Sequence, residues 1–221
     1  MPKVKIPRKS TSVDMTAMCD VAFLLLSFFI LATKQKPPEV LSVSPPNSVS
    51  TKLASDKAIL VTLTKDGKTF LMLGEDAKKK EVLANINTVK ALGLTPGELA
   101  KWEKQQFIGM PLNQIKAALA SNEEPNAATL PGIPMKDSTN NELVDWVGSI
   151  TNVFAAAQVD QKELEKILLV KGDNEALYPK FKNIKYAFKK NQIFKFQIVT
   201  NGTEAPIGTE KYIADHTTKQ N

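Results

Sequence analysis

The longest apolar segment of the chain is its clearest pattern. Residues 15–33 read MTAMCDVAFLLLSFFILAT, and Asp20 is the only formal charge among them. At 1.5 Å of rise per residue, a helix of this length spans about 28 Å, close to the hydrocarbon thickness of a bilayer. The segment therefore predicts a single transmembrane helix over residues 15–33.

Basic residues flank this segment unequally. The four cations Lys3, Lys5, Arg8 and Lys9 precede it, whereas only Lys34 and Lys36 follow closely. Because positive charge is retained on the cytoplasmic side, we expect residues 1–14 to be cytoplasmic and the residues after about 34 to be exported.

A secretory signal peptide is the alternative interpretation of the same segment, since a basic start precedes an apolar run. Two acids, Asp14 and Asp20, lie in or beside that run, and the following ATKQKPP offers no A-x-A cleavage site. N-terminal sequencing of the mature protein would separate the two, because cleavage would place the new terminus near Lys34.

The pattern changes after the apolar segment. Residues 34–57 are rich in Pro and Ser and contain no long apolar run, which predicts an extended linker. Within it, residues 39–44 alternate polar and apolar side chains. This stretch is either a short strand that pairs with a second copy or a partner, or an unpaired part of the linker.

Residues 58–200 have the periodicities of a folded α+β domain. Apolar runs at 58–64 and 69–73 flank Asp66-Gly67, a strong hairpin signal. Near the end, a buried strand over 167–173, an amphipathic helix over 176–190 and an alternating strand over 193–200 predict a βαβ crossover. Residues 201–221 read as a polar C-terminal tail.

Helical patterns dominate an insert at about 75–160, between the hairpin and the crossover. Val82, Ile86 and Val89 are at helical spacing behind a lysine run that reads as a solvated face. Further predicted features are a capping box at Thr95 and Glu98, a helix after Pro111, a loop or mobile excursion over 121–138, and a helix through Trp146 capped by Thr139 and Glu142.

Composition narrows the chemistry. The chain has 221 residues and a formal net charge of +6, but its lysines are spread along the whole length, so we expect no nucleic-acid partner. One Cys (Cys19) and one His (His216) cannot form a disulfide framework or a Cys/His zinc site within one chain. No catalytic constellation or glycine-rich phosphate loop is evident, so we expect no enzyme activity, metal or cofactor.

Asp20 is the candidate functional residue. A carboxylate in a membrane span is costly and usually faces a partner or a wet cavity. On a helix, Thr16 at i−4 and Ser27 at i+7 would form a polar stripe with Asp20. Because apolar surroundings disfavour the ionised form, Asp20 is predicted to take up and release a proton. The alternative is that Asp20 marks the membrane boundary and is hydrated by headgroups.

The string SVDMTAMCDVAFLLLSFFIL, residues 12–31, resembles the start of the ExbD/TolR biopolymer-transport proteins. Their pattern is roughly I-N-V-T-P, two hydrophobic residues and D-V before a long apolar run. Thr16, Asp20 and Val21 match it, whereas Ala17 replaces the usual Pro and Asp14 replaces a common Asn. The crossover is also similar, with Asp173 after the strand and Tyr178 at the helix start, although Asn191-Gln192 replaces the family's usual Ala-Gly.

The resemblance implies a single N-terminal transmembrane helix and an α+β periplasmic domain, anchored in a bacterial inner membrane. It implies that Asp20 is the proton-carrying residue of a motor with an ExbB-like polytopic ring and a second ExbD-like chain. A TonB-like protein would couple the motor to outer-membrane transport, and peptidoglycan is a further candidate partner.

The alternative within the same family is a TolR-like, single-pass anchored module that binds the cell wall or an envelope partner. Asp20 would then be only a helix–helix contact. The insert at about 75–160 has no counterpart in typical members, which are much shorter there.

Overall fold

The computed structural model describes residues 15–32, 41–50, 58–74, 78–121, 126–136 and 140–217. The chain divides into two compact units, residues 1–39 and residues 40–221. The first contains one apolar helix and the second is a mixed α/β domain with small sheets, so the predicted fold class is confirmed.

The described elements follow in chain order: α1 (Met15–Ala32), β1 (Asn47–Ser48), β2 (Ile59–Leu63), β3 (Thr69–Leu73), α2 (Lys79–Val89), α3 (Pro96–Lys104), α4 (Leu112–Ala120), α5 (Glu142–Ala156), α6 (Gln161–Ile167), β4 (Leu168–Gly172), α7 (Tyr178–Lys190), β5 (Gln197–Ile198), β6 (Asn201–Gly202) and α8 (Glu210–Thr217).

The central sheet has the strand order β3-β2-β4-β5. The antiparallel pair β2–β3 confirms the predicted hairpin, and Gly67 in its turn has a φ of 77°, in the left-handed region that glycine adopts at low cost. β4 runs parallel to β2 and to β5. The predicted β4–α7–β5 crossover is therefore confirmed.

One hydrophobic core joins the sheet to the helical insert. Ile59 and Val61 of β2 are fully buried in the same cluster as Trp102 of α3 and Trp146 of α5, whose rings meet edge to face with centroids 5.5 Å apart. Because insert residues and sheet residues share this core, the insert is part of the domain and not a separate appendage.

The described part of the predicted linker, residues 41–50, packs on the domain, and we call it the docked segment. Leu41 and Val43 are buried against Phe70 and Phe107, and β1 pairs in parallel with β6. Residues 41–44 are not part of a strand, and the apolar side chains of Leu41 and Val43 occupy a hydrophobic site on their own domain. Pairing of this segment with a second copy or a partner stays a prediction. The rest of the linker, 34–40 and 51–57, lies outside the described residues.

Residues 126–136 form a loop, as predicted, and the N–H of Ile133 anchors this loop to the sheet by donating to the Thr69 carbonyl over 2.7 Å. The rest of the insert differs from prediction at two points. The N-cap of α5 is Asn141 and not Thr139, which lies outside the described residues. Val89 is 59% exposed, although its spacing placed it on the apolar face. The capping box of Thr95 and Glu98 is confirmed.

The C-terminal third is more structured than its pattern indicates. The predicted strand over 193–200 is reduced to β5, while β6 and α8 occupy the predicted polar tail. α6 was not predicted, because its seven residues bury only Leu164 and so carry little periodic signal. Leu177 falls within the helix predicted over 176–190, but it is 67% exposed because α7 begins only after it.

Candidate functional site

α1 is an uninterrupted helix of 18 residues, long and apolar enough to cross a bilayer. None of its side chains is buried, and large apolar residues such as Phe23 and Leu31 are 68% and 86% exposed. A soluble protein rarely leaves so much contiguous apolar surface uncovered. Lipid tails or neighbouring apolar helices are the surroundings that suit it.

Asp20 lies in the second turn of α1 with an exposed side chain. Because the helix is continuous, the register that places Thr16 and Ser27 on the same face as Asp20 applies to this structure. Asp20 makes no hydrogen bond to another described residue that would tie its carboxylate to the protein.

Ser27 is the half-buried residue of this predicted stripe. Its hydroxyl donates to the carbonyl of Leu24 over 2.9 Å, one turn earlier. Back-bonding of this kind satisfies a hydroxyl donor in apolar surroundings. The Ser27 oxygen can still accept a hydrogen bond, so its predicted supporting role, like that of Thr16, stays a prediction.

Cys19, next to Asp20, is a free and exposed cysteine. Its thiol is not buried against any of the described residues.

A second polar site lies where β4 ends. The carboxylate of Asp173 accepts one hydrogen bond from the N–H of Glu175 over 2.9 Å and another from the N–H of Ser44 over 3.1 Å. These two N–H groups lower the pKa of Asp173, in that order of size. The aspartate therefore caps its own turn and also holds the docked segment.

Backbone hydrogen bonds reinforce this attachment. The N–H of Asn174 donates to the Ser44 carbonyl over 2.9 Å, and the N–H of Asn201 donates to the Pro46 carbonyl over 2.9 Å. Sequence reasoning missed this role of Asp173 and Ser44. The alternation over 39–44 showed that the segment would bury one face, but not that its own domain would supply the surface.

Tyr178 begins α7, as the comparison with the family pattern predicted for an aromatic at this point. Its ring is 65% exposed and lies 6.4 Å, centroid to centroid, from Phe181. Phe181 in turn contacts Phe196 beside β5. Tyr178 is thus the exposed end of an aromatic row that continues into the core.

A polar pocket opens between the ends of α2, α5 and α7. The Lys90 ammonium and the Asp145 carboxylate form an ion pair 2.6 Å apart at its edge. Glu142 accepts a hydrogen bond from the N–H of Leu112 over 2.9 Å, which joins α5 to α4. Burial, and then the neighbouring Asp145, raise the pKa of Glu142.

The described ranges contain no group of three or more His, Cys, Asp or Glu side chains that could hold a metal ion. Two acids of the domain, Asp173 and Glu142, instead accept hydrogen bonds that hold segments of the domain together. Asp20 on α1 stays the predicted functional residue.

Comparison with known proteins identifies one relationship. The family model described as "Biopolymer transport protein ExbD/TolR" matches residues 7–202, which include α1, the docked segment, the sheet and the whole helical insert. No curated protein and no solved structure matches the chain.

Proposed function

The chain belongs to the ExbD/TolR family, and from that premise we propose that it is the ExbD-like subunit of a proton-driven motor in a bacterial inner membrane. The family makes it a membrane-anchored protein related to biopolymer transport. In this proposal an ExbB-like polytopic ring surrounds α1 together with a second ExbD-like chain. A TonB-like protein carries the resulting movement to the outer membrane.

One observation carries the proposal: Asp20 is the only formal charge on a helix whose remaining surface is almost entirely apolar. A charged group in the membrane is expensive, so such a position marks ion or proton pathways. A single helix cannot enclose a sealed proton path, because lipid supplies no polar groups. A ring of partner helices is the element that the proposal adds.

The mechanism follows from the two charge states of one carboxyl group. When a proton arrives from the periplasmic side, Asp20 becomes neutral and its helix can lie against an apolar surface of the ring. Loss of that proton toward the cytoplasm restores the charge and returns the helix to a polar contact. One charge that crosses a potential of 100 mV carries about 2.3 kcal/mol, which is the energy available for each step.

The test is Asp20→Asn, which keeps the size of the side chain but cannot ionise. We expect the complex with the ring to assemble and energy-dependent uptake to fall to the level of a strain without the protein. Asp20→Glu is the matched control, because it keeps an ionisable carboxyl and should retain part of the uptake. Uptake and co-purification of the ring are measured on the same cells.

A chemical measurement complements the uptake assay. Carbodiimides modify protonated carboxyl groups in apolar sites, so we expect modification of Asp20 in the purified complex at neutral pH, read by mass spectrometry, and none in Asp20→Asn. If Asp20→Asn kept full uptake, the TolR-like anchored binding module would replace the motor. An Asp20 that resisted modification would point to a carboxylate hydrated by headgroups.

A further inference from the structure

α7 concentrates positive charge on one element. Its 13 residues, YPKFKNIKYAFKK, include five lysines and no acid, in a chain whose formal net charge is +6. Lysines on a surface helix usually alternate with acids that neutralise them. Because α7 has no acid, the positive charge of its lysines is not neutralised within the helix.

Three of these lysines form a line. At about 100° per residue, Lys182, Lys185 and Lys189 lie within about 60° of one another on the helix circumference. All three are exposed, and none forms an ion pair with a described acid. We call this line the lysine stripe. It lies opposite Ile184, which packs into the core.

The remaining charged groups around α7 lie on its other sides. Lys190 faces the polar pocket that also contains Glu142 and Asp145. Lys180 lies beside the hairpin turn, with its methylene groups next to Gly67. Glu142 and Asp145 therefore lie beside α7 and do not interrupt the lysine stripe.

An apolar end completes the surface. Tyr178 precedes Lys182 by four residues and so lies on the same face, and it is 65% exposed. Leu177, next to it, is 67% exposed. A basic row with an exposed aromatic and an aliphatic side chain is the composition that binds in the headgroup region of a bilayer, where tyrosine places its ring.

We propose that the lysine stripe, with Tyr178 and Leu177, docks on the anionic lipid surface of the membrane that α1 anchors. Charge complementarity selects an anionic surface, and α1 keeps a bilayer attached to the same polypeptide. This inference rests on the membrane anchor of the proposed function, but not on proton transport by Asp20. Docking would give the domain one membrane-bound face.

The test uses the full chain in lipid nanodiscs. An environment-sensitive fluorophore is attached to Lys185→Cys in a Cys19→Ser background, and lipids with spin-labelled headgroups serve as the quencher. We expect strong quenching in discs that contain phosphatidylglycerol and weak quenching in discs of phosphatidylcholine alone. Quenching should fall as salt rises, because the Debye length shrinks from about 10 Å at 0.1 M to about 3 Å at 1 M.

Charge variants test whether the lysine stripe, and not the net positive charge of the whole protein, causes docking on the anionic lipid. Lys182→Gln with Lys189→Gln should lower the docking constant by about 25-fold, at about fivefold per lysine. Lys162→Gln with Lys166→Gln on α6 removes the same charge from another exposed helix and should leave the quenching unchanged. The labelled position is common to both variants.

Several results would overturn the proposal. Equal quenching in neutral and anionic discs would do so, as would full quenching in the variant without Lys182 and Lys189. Protection of the fluorophore by peptidoglycan sacculi but not by lipid would assign the surface to the cell wall. A chain that enters the discs without quenching refutes the docking surface alone, whereas a chain that fails to enter them also refutes the membrane anchor.

Discussion

α1 and the α/β domain use apolar residues in opposite ways. In α1 no side chain is buried, so its apolar surface is left for lipid or for other chains. In the domain, Ile59, Trp146 and many other apolar residues are fully buried by the chain itself. The hydrophobic surface of α1 therefore suits a membrane anchor, whereas the buried hydrophobic surface of the domain stabilises its fold.

The carboxylates differ in the same way. Several carboxylates of the domain accept hydrogen bonds from backbone N–H groups: Glu98 from Thr95, Glu142 from Leu112, and Asp173 from Ser44 and Glu175. Asp20 on α1 has no such partner among the described residues. A hydrogen bond between a carboxylate and a backbone N–H in the native structure contributes to its stability.

The largest contrast should come from deleting one large side chain in each region. Trp146→Ala removes a fully buried ring that contacts Trp102 and should cost about 3–5 kcal/mol of the free energy of unfolding, measured by denaturant unfolding in mild detergent. The matched change in α1 is Phe23→Ala, at a side chain that is 68% exposed. It should leave the unfolding of the domain unchanged, and an equal loss in both variants would break the comparison.

A smaller effect should come from the docked segment, which adjoins the linker to the membrane but belongs to the domain. Leu41→Ala removes a buried side chain from the cluster with Phe70 and Phe107 and should cost about 2 kcal/mol. We expect faster amide hydrogen exchange at Ser44 and Asn201, with little change in the central sheet.

Leu31→Ala in α1, at a side chain that is 86% exposed, is the control for this variant. It should not alter exchange at Ser44. If exchange in the central sheet rose as much as exchange at Ser44 in Leu41→Ala, the segment would be part of the main core and not a separately released element.

The smallest expected effect is on the pH dependence of the free energy of unfolding. Glu142 and Glu98 should contribute to it with opposite signs. The pKa of Glu142 is raised above its ordinary 4.5, chiefly by burial, so the native state binds this proton more tightly than the unfolded state. The wild-type stability therefore falls as the pH rises from about 4.5 through the raised pKa. Glu142→Gln should gain stability relative to the wild type over that interval, in urea unfolding measured between pH 4 and 7.5.

Glu98 provides the opposite case. Its pKa is lowered, first by the N–H of Thr95 and then by the Thr95 hydroxyl, so its stabilisation is present above 4.5 and is lost as the pH falls through the lowered value. Glu98→Gln should thus lose stability relative to the wild type as the pH rises. Two variants with the same sign would contradict the assignment of burial to Glu142 and capping to Glu98.

The sequence by itself determined the features that depend on neighbouring residues. The continuous apolar run predicts α1, Asp66-Gly67 predicts the β2–β3 hairpin, and the spacing of Thr95 and Glu98 predicts the start of α3. Each is a local signal, because a turn, a cap or one helix face is completed within a few residues. The exceptional position of Asp20 is visible in the same way, as one charge in a run without others.

Only the tertiary structure decided how distant segments meet. Leu41 and Val43 pack against Phe107, more than sixty positions away, and the insert shares one core with β2 and β4. The alternation over 39–44 indicates that one face is buried, but any apolar surface of suitable shape could bury that face. The hydrophobic effect is not directional, so the partner is selected by the packing of the whole domain.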